Sequence, residues 1–245
     1  MDLIKAKELL DRLTGVLPSN TKSNYDKDDY KYVLKEGKNT LRIVPWIHAS
    51  REEGSLPFYE LFFYYNLSKK FIVSPKTFGE EDPILDYATK LWGDGDEETA
   101  KKLFPTRSWS CPVIDRDTGK LQYWLMSKGS FLKILSIINS ECGDVSHPES
   151  GRDIVVETKK SSRNANEVIS IIPKMVNSPL TKEEVELVSS IKHIKSYYTP
   201  ATKEELIKEL DMKIAKIMAE KNMFAGMNSS IHIDQDASDF SKIFK

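Results

Sequence analysis

Cysteine and histidine are both scarce in this sequence, which has two cysteines and four histidines among its 245 residues. Two isolated cysteines cannot staple a secreted domain, so we expect Cys111 and Cys142 to be free thiols in the cytoplasm. The histidines stand in unrelated contexts, and the sequence has no phosphate-binding glycine loop, zinc-protease motif or serine-hydrolase elbow. We therefore expect no catalytic activity, no cofactor and no bound metal.

An excess of either charge is also missing, because 36 basic and 37 acidic residues leave a net charge of −1. This balance gives no general attraction to nucleic acid. The segment 31–133 is slightly positive, however, with 16 basic against 14 acidic residues.

No apolar run approaches the roughly 20 residues of a membrane span, and the charged, leucine-containing N-terminus does not resemble a signal peptide. We expect neither secretion nor membrane insertion.

Strand-like segments dominate what the sequence does contain. Segments 31–34 and 40–46 are predicted to pair as a hairpin around Gly37, and further strands are expected at 58–65, 71–73, 107–114, 121–126, 154–158 and 168–172. Helices are predicted at 83–92, where Asp82 is a suitable N-cap, and at 96–104, 130–140 and 203–223. The pattern predicts a mainly β protein with helical flanks, in the α+β class.

Four regions follow from this pattern. Residues 1–24 are expected to form an amphipathic arm, which either docks elsewhere or packs on its own core, and 25–180 to form the β core with an insertion at about 74–104. Residues 181–224 form a helical C-terminal region, and 225–245 are expected to be a flexible acidic tail.

The insertion begins SPKTFGEEDPIL, and with its flanking strands it resembles the single-stranded DNA-binding, helix-destabilising proteins of T4-like bacteriophages over roughly residues 30–180. The resemblance implies a five-stranded OB-fold barrel with a zinc-finger-like insertion. Ser74, Asp82 and Leu85 stand where that family has cysteines, and Tyr64 and Tyr65 stand where a histidine is expected. These residues cannot form a thiolate-rich zinc site, so apolar packing should replace the metal. The packing residues are Phe78, Ile84, Leu85, Tyr87, Ala88, Leu91 and Trp92.

A single strand offers base faces and a charged backbone, so its binder needs aromatic platforms beside basic groups. Alternation divides the third strand into two rows, and we favour the row of Tyr59, Phe63 and Tyr65 as the groove face, with Trp92 and Trp124 in the core. The predicted nucleic-acid-binding residues are Arg42, Trp46, Tyr59, Phe63, Tyr65, Lys69, Lys70, Lys76, Lys101, Lys102, Arg107, Trp109, Lys159, Lys160 and Arg163.

The resemblance implies a protein that coats single-stranded DNA without sequence specificity during phage replication, recombination and repair, in the cytoplasm of the infected host cell. It also implies possible self-association along the DNA. Asp234, Asp236, Asp239 and Phe240 are expected to recruit replication or recombination proteins or to compete for the groove. Two alternatives stay open: a protein-interaction or virion-associated module without strand binding, and a binder of single-stranded RNA.

Overall fold

A computed structural model describes residues 30–45, 56–65, 67, 71–161 and 166–231. Within these ranges the chain forms a mixed α+β structure of eight strands and five α-helices. The strands are β1 (Lys31–Tyr32), β2 (Gly37–Ile43), β3 (Tyr59–Tyr64), β4 (Ile72–Val73), β5 (Thr106–Asp115), β6 (Leu121–Met126), β7 (Ile154–Lys159) and β8 (Glu167–Pro173). The helices are α1 (Pro83–Gly93), α2 (Glu97–Leu103), α3 (Lys128–Ile138), α4 (Lys182–Ser190) and α5 (Lys203–Ile231), with 3-10 turns at Pro75–Phe78 and Ile194–Tyr197.

Strand β5 organises the sheet because it pairs with three others. Its residues Trp109 to Ile114 pair with β6 along one edge. The opposite edge is shared, since the beginning of β5 pairs with β3 and its end pairs with β2, both antiparallel. Strand β2 then pairs with β7, and β7 with β8. A single ten-residue strand therefore connects β3 to the rest of the sheet.

The predicted hairpin between the first two strands is wrong. Strand β1 pairs parallel with β6, placing Lys31 opposite Tyr123, while β2 pairs with β5 and β7. A local turn signal at Gly37 suggested the hairpin, but Gly37 instead begins β2 with a φ of 94°. The strands predicted at 154–158 and 168–172 pair as an antiparallel hairpin, β7 with β8, and those predicted at 58–65 and 71–73 pair as β3 with β4.

The predicted class, mainly strands with added helices, agrees with this structure, but the closed OB-fold barrel is not confirmed. Among the pairings that the described ranges show, the main path runs β1-β6-β5-β2-β7-β8, and nothing joins its two ends. The sheet is therefore open.

One large hydrophobic core lies against the main sheet, and we call it the main core. It contains Leu41 and Ile43 of β2, Val113 of β5, Ile154 of β7 and Ile134 of α3, all fully buried. Burial of a side chain of this size contributes roughly 1.5–3 kcal/mol. Trp124 belongs to the main core, as predicted.

A second core, which we call the insertion core, joins the insertion to the C-terminal helix. Ile84 and Ala88 of α1 and Leu103 of α2 pack with Leu206 and Ile217 of α5. All five side chains are buried. The apolar packing predicted for the insertion is therefore present in part, and α5 supplies the surface that it packs against.

Ser74 and Asp82, two of the positions at which the resemblance would place zinc ligands, form a buried hydrogen-bonded cluster with Tyr64. The hydroxyls of Tyr64 and Ser74 donate to Oδ2 of Asp82, and the amides of Ile84 and Leu85 donate to its Oδ1. Burial and the adjacent carboxylate raise the pKa of Tyr64. One carboxylate and two hydroxyls do not fit a structural zinc ion, and both carboxylate oxygens are already used as acceptors. No group of three potential metal ligands occurs within the described ranges.

The C-terminal region is more helical than expected, because α5 continues to Ile231. The expected flexible tail from residue 225 is therefore wrong for its first part. The amphipathic arm at 1–24 and the remainder of the tail lie outside the described residues. None of the described helices is both long enough and apolar enough to cross a membrane.

Candidate nucleic-acid interface

A short strip of β3 lies between the two hydrophobic cores. Phe58, just before β3, packs in the main core, and Tyr64 packs in the insertion core. Side chains two apart share a face of a strand, so Glu60 and Phe62 lie between the cores on that face. Across the strand pair, Trp109 lies opposite Glu60, and Arg107 lies opposite Phe62. We call these four residues the β3 strip.

Arg107 is the most exposed side chain of the β3 strip, with 60% of its surface accessible. Its guanidinium carbon lies 6.0 Å from the centre of the Phe62 ring and 5.3 Å from that of Trp109. Its Nε donates a hydrogen bond to Oε1 of Glu60. A guanidinium held over aromatic rings, beside a half-buried Phe62, matches the stacking and phosphate-binding groups that a single strand requires.

Lys76 lies beside the β3 strip. Its neighbour Thr77 accepts a hydrogen bond from the backbone amide of Phe62 at 2.9 Å, and the Ser74 amide donates to the Phe62 carbonyl at 3.0 Å. These bonds place the 3-10 turn Pro75–Phe78 along the edge of β3 that β5 leaves free. Lys76 is exposed, so the predicted basic position is available to a ligand.

A second exposed aromatic group lies on the insertion. Trp92 is 44% exposed and Phe104 is 38% exposed, and their rings meet edge to face at 5.9 Å. Nζ of Lys101 lies 5.1 Å from the centre of the Trp92 ring. The prediction that Trp92 is a core residue is therefore wrong, because it lies at the end of α1, beyond the buried face formed by Ile84 and Ala88. We call Trp92, Phe104 and Lys101 the Trp92 patch.

The aromatic row favoured from the sequence points to the other face of β3. Phe63 is fully buried among the rings of Phe71 and Tyr198, so its prediction as a stacking residue is wrong. Tyr59 is half-buried against His193 and Lys195, in the segment leading into α5. Of this row only Tyr65 is largely exposed, at 44%. Burial raises the pKa of its hydroxyl.

Arg42 was predicted to bind nucleic acid and is instead a structural residue. Its side chain is fully buried, and its nitrogens donate to the carbonyls of Ser178, Ile43, Val145 and His147. Burial lowers the pKa of the guanidinium to about 10, so Arg42 remains charged at neutral pH. A cation whose donors are already used in the interior cannot reach a phosphate.

Trp109 is also mainly structural, because it is 9% exposed and stacks on Phe131 at 4.6 Å. Within the β3 strip its ring contacts the guanidinium of Arg107. Its prediction as a stacking platform for bases is therefore wrong.

The remaining basic predictions differ in their surroundings. Lys101, Lys102 and Lys159 are exposed and lie in ion pairs with Glu97, Glu98 and Glu167. Lys160 is exposed just after β7. Such surface ion pairs are weak and exchange readily with solvent ions. The other predicted contacts lie outside the described residues: Trp46, Lys69, Lys70, Arg163, Asp234, Asp236, Asp239 and Phe240.

Sequence reasoning missed Phe62, Phe104 and Lys195. Phe62 belongs to the row of β3 that was not chosen as the groove face. It lies beside Arg107 only because the register of β3 and β5 places the two residues opposite each other. Lys195 approaches Tyr59 and Phe78, at 5.3 and 5.6 Å from their ring centres, although it is far from both in sequence. The only feature of the sequence that indicated these residues was weak: aromatic residues occur on both faces of β3.

Comparison with known proteins adds no assignment. No protein-family model matches the chain, and no curated protein is significantly similar to it in sequence.

Proposed function

We propose that this chain binds single-stranded DNA without base specificity, along a path that includes the β3 strip, Lys76 and the Trp92 patch. The observation that supports this most directly is Arg107, which lies exposed over the rings of Phe62 and Trp109 between two hydrophobic cores. Its guanidinium would contact a phosphate while the exposed part of Phe62 contacts a base. Trp92 and Phe104 would provide a second stacking surface.

The proposal includes a divergent OB fold, in which β5 and its neighbours form the binding surface and the insertion extends it. OB folds commonly bind oligonucleotides on a sheet face through stacking and backbone contacts. The cellular role that fits is the one implied by the phage resemblance: coating single strands during replication, recombination and repair in the host cytoplasm. Contacts with other replication proteins through the acidic C-terminus, and self-association along the strand, belong to the same proposal.

Binding is tested with a fluorescein-labelled dT oligonucleotide, by anisotropy and gel shift at low salt. We expect Phe62→Ala, Trp92→Ala and Arg107→Ala each to weaken binding, by about 5- to 150-fold for the loss of roughly 1–3 kcal/mol at a contact with the strand. Lack of binding by the unmodified chain at low salt would overturn the proposal.

Matched controls separate the interface from general damage. Tyr87→Ala removes another exposed aromatic side chain from helix α1 and should leave the affinity unchanged. Trp92→Phe retains an aromatic ring and should keep most of the affinity that Trp92→Ala loses. Competition by unlabelled rU and dT oligonucleotides of equal length measures the preference between RNA and DNA, because aromatic platforms accept either sugar.

A protein-interaction module is the second candidate. The apolar surface at and after β8 supports it, with Ile172, Met175 and Val176 exposed by 58%, 88% and 74%. Exposed apolar clusters of this kind often mark protein contacts. In that case the unmodified chain fails to bind the oligonucleotide at any salt concentration, and Met175→Lys changes its assembly state in sedimentation.

A further inference from the structure

We propose that Glu60 competes with strand phosphates for Arg107 and so reduces the affinity of the interface. This inference rests on the proposed function. It concerns one ion pair, between Oε1 of Glu60 and Nε of Arg107, in the middle of the β3 strip.

The register explains why these two side chains meet. Glu60 lies directly opposite Trp109, and Arg107 lies directly opposite Phe62, so the ion pair runs diagonally between β3 and β5. Diagonal neighbours on one face of an antiparallel pair are within reach of long side chains. The pair stays accessible, with 34% of the Glu60 side chain and 60% of the Arg107 side chain exposed.

Glu60 occupies one of the two edges of the Arg107 guanidinium at which a phosphate can bind. Bidentate binding of an oxyanion by arginine uses two nitrogens on one edge of the guanidinium. Glu60 holds Nε, while the two terminal nitrogens of Arg107 have no hydrogen-bond partner among the described residues. A phosphate can therefore bind the terminal nitrogens beside Glu60, or displace Glu60 and take the Nε edge.

In both arrangements Glu60 weakens the binding of the phosphate. In the first, two negative groups lie a few ångströms apart at a partly exposed site, where charge repulsion is only partly screened by solvent. In the second, the ion pair must break first. Neutralising Glu60 while keeping its shape should therefore tighten binding. A purely positioning role for Glu60 predicts the opposite, because loss of the ion pair would release Arg107 from its place over the two rings.

The test compares Glu60→Gln with the unmodified chain in dT-oligonucleotide anisotropy at low salt. We expect binding to tighten by about tenfold at low salt, and by less as salt screens the charge. Glu186→Gln on α4 makes the same change in net charge at an exposed position and is the matched control. Equal tightening by the two variants, or weaker binding by Glu60→Gln, would overturn the inference.

A double-mutant cycle shows whether Glu60 acts through Arg107. If it does, Glu60→Gln should tighten binding in the unmodified background and have little effect in the Arg107→Ala background. An equal gain in affinity from Glu60→Gln in both backgrounds would contradict the proposal that Glu60 competes with phosphate for Arg107. The two proposals fail differently: the proposed function fails when the unmodified chain does not bind, whereas this inference fails when it binds and Glu60→Gln does not tighten binding.

Discussion

At the residue scale, the buried Arg42 organises a part of the chain that lies far from it in sequence. Its Nη2 donates to the His147 carbonyl at 2.6 Å and its Nε to the Ser178 carbonyl at 2.8 Å. Gly151 lies against the same group, and its amide donates to the His147 carbonyl at 2.9 Å. The absence of a side chain at Gly151 is what allows this close approach.

Gly151→Ala should therefore be strongly destabilising. A Cβ at this position would lie 2.6 Å from the Val145 carbonyl oxygen and in still closer contact with Arg42 and the His147 carbonyl. We expect a loss of about 3 kcal/mol in the free energy of unfolding, typical of steric overpacking. Urea unfolding of the variant and of the unmodified chain measures this loss. Gly93→Ala, where a Cβ meets nothing within 4 Å, is the control and should be neutral or slightly stabilising.

Asp82 is the second residue whose role follows from its surroundings, since it both caps α1 and accepts from the hydroxyls of Tyr64 and Ser74. Asp82→Ala should lower the free energy of unfolding by about 3 kcal/mol, because it removes a helix cap and leaves two buried hydroxyls without an acceptor. Asp96→Ala removes the cap of α2 and a surface ion pair with Lys221, and should cost about 1 kcal/mol because such exposed pairs contribute little. Equal losses in urea unfolding would contradict the role of the buried cluster.

At the scale of elements, helix α5 is an integral part of the insertion core. Leu206 and Ile217 are buried against α1 and α2, while Ile207 and Met218, one position further along, are 43% and 60% exposed. A surface ion pair at 3.4 Å between Lys221 and Asp96 joins α5 to the start of α2. The insertion therefore depends on a helix that follows it by about a hundred residues.

Truncation of the buried face of α5 should destabilise the chain. Leu206→Ala and Ile217→Ala are each expected to cost about 3 kcal/mol of unfolding free energy, as for other buried aliphatic residues. Ile207→Ala and Met218→Ala should change it by less than about 0.5 kcal/mol, because these side chains are largely exposed. Thermal unfolding followed by circular dichroism distinguishes the pairs. Similar effects for all four variants would show that α5 does not pack on the insertion in solution.

At the scale of the whole molecule, the balance of charge limits how strongly the chain can attract a polyanion. The net charge is −1, and three of the predicted cations, Lys101, Lys102 and Lys159, have acidic partners. Binding should therefore depend on a small number of local contacts and on stacking, with little contribution from a long-range field.

The salt dependence of binding tests this expectation. With phosphate contacts from about three cations, Arg107, Lys76 and Lys101, the slope of log K against log salt should be about −2, since each contact on a single strand contributes about −0.7. Anisotropy titrations between low and moderate salt give the slope. A slope steeper than about −5 would require further cations, and a slope near zero would exclude phosphate contacts.

The local sequence determined most of the secondary structure, because its signals act over a few residues. Asp82 and Pro83 predicted the start of α1, and the residue types at 154–158 and 168–172 predicted the two strands of the β7–β8 hairpin. The poor fit of Ser74 and Asp82 to a thiolate-rich metal site was likewise readable from residue types alone. Lys76 and Arg107, both predicted to bind a strand, are exposed, and their role in binding stays a prediction.

Only the tertiary structure decided which of these side chains are buried. Alternation divides β3 into two rows but does not say which row faces a core, and here each row is partly covered, by different elements. The burial of Arg42 and Phe63, the exposure of Trp92 and the parallel pairing of β1 with β6 all depend on contacts between distant segments. Packing free energy summed over such contacts outweighs the preferences of single residues, and it is not encoded in any short stretch of the chain.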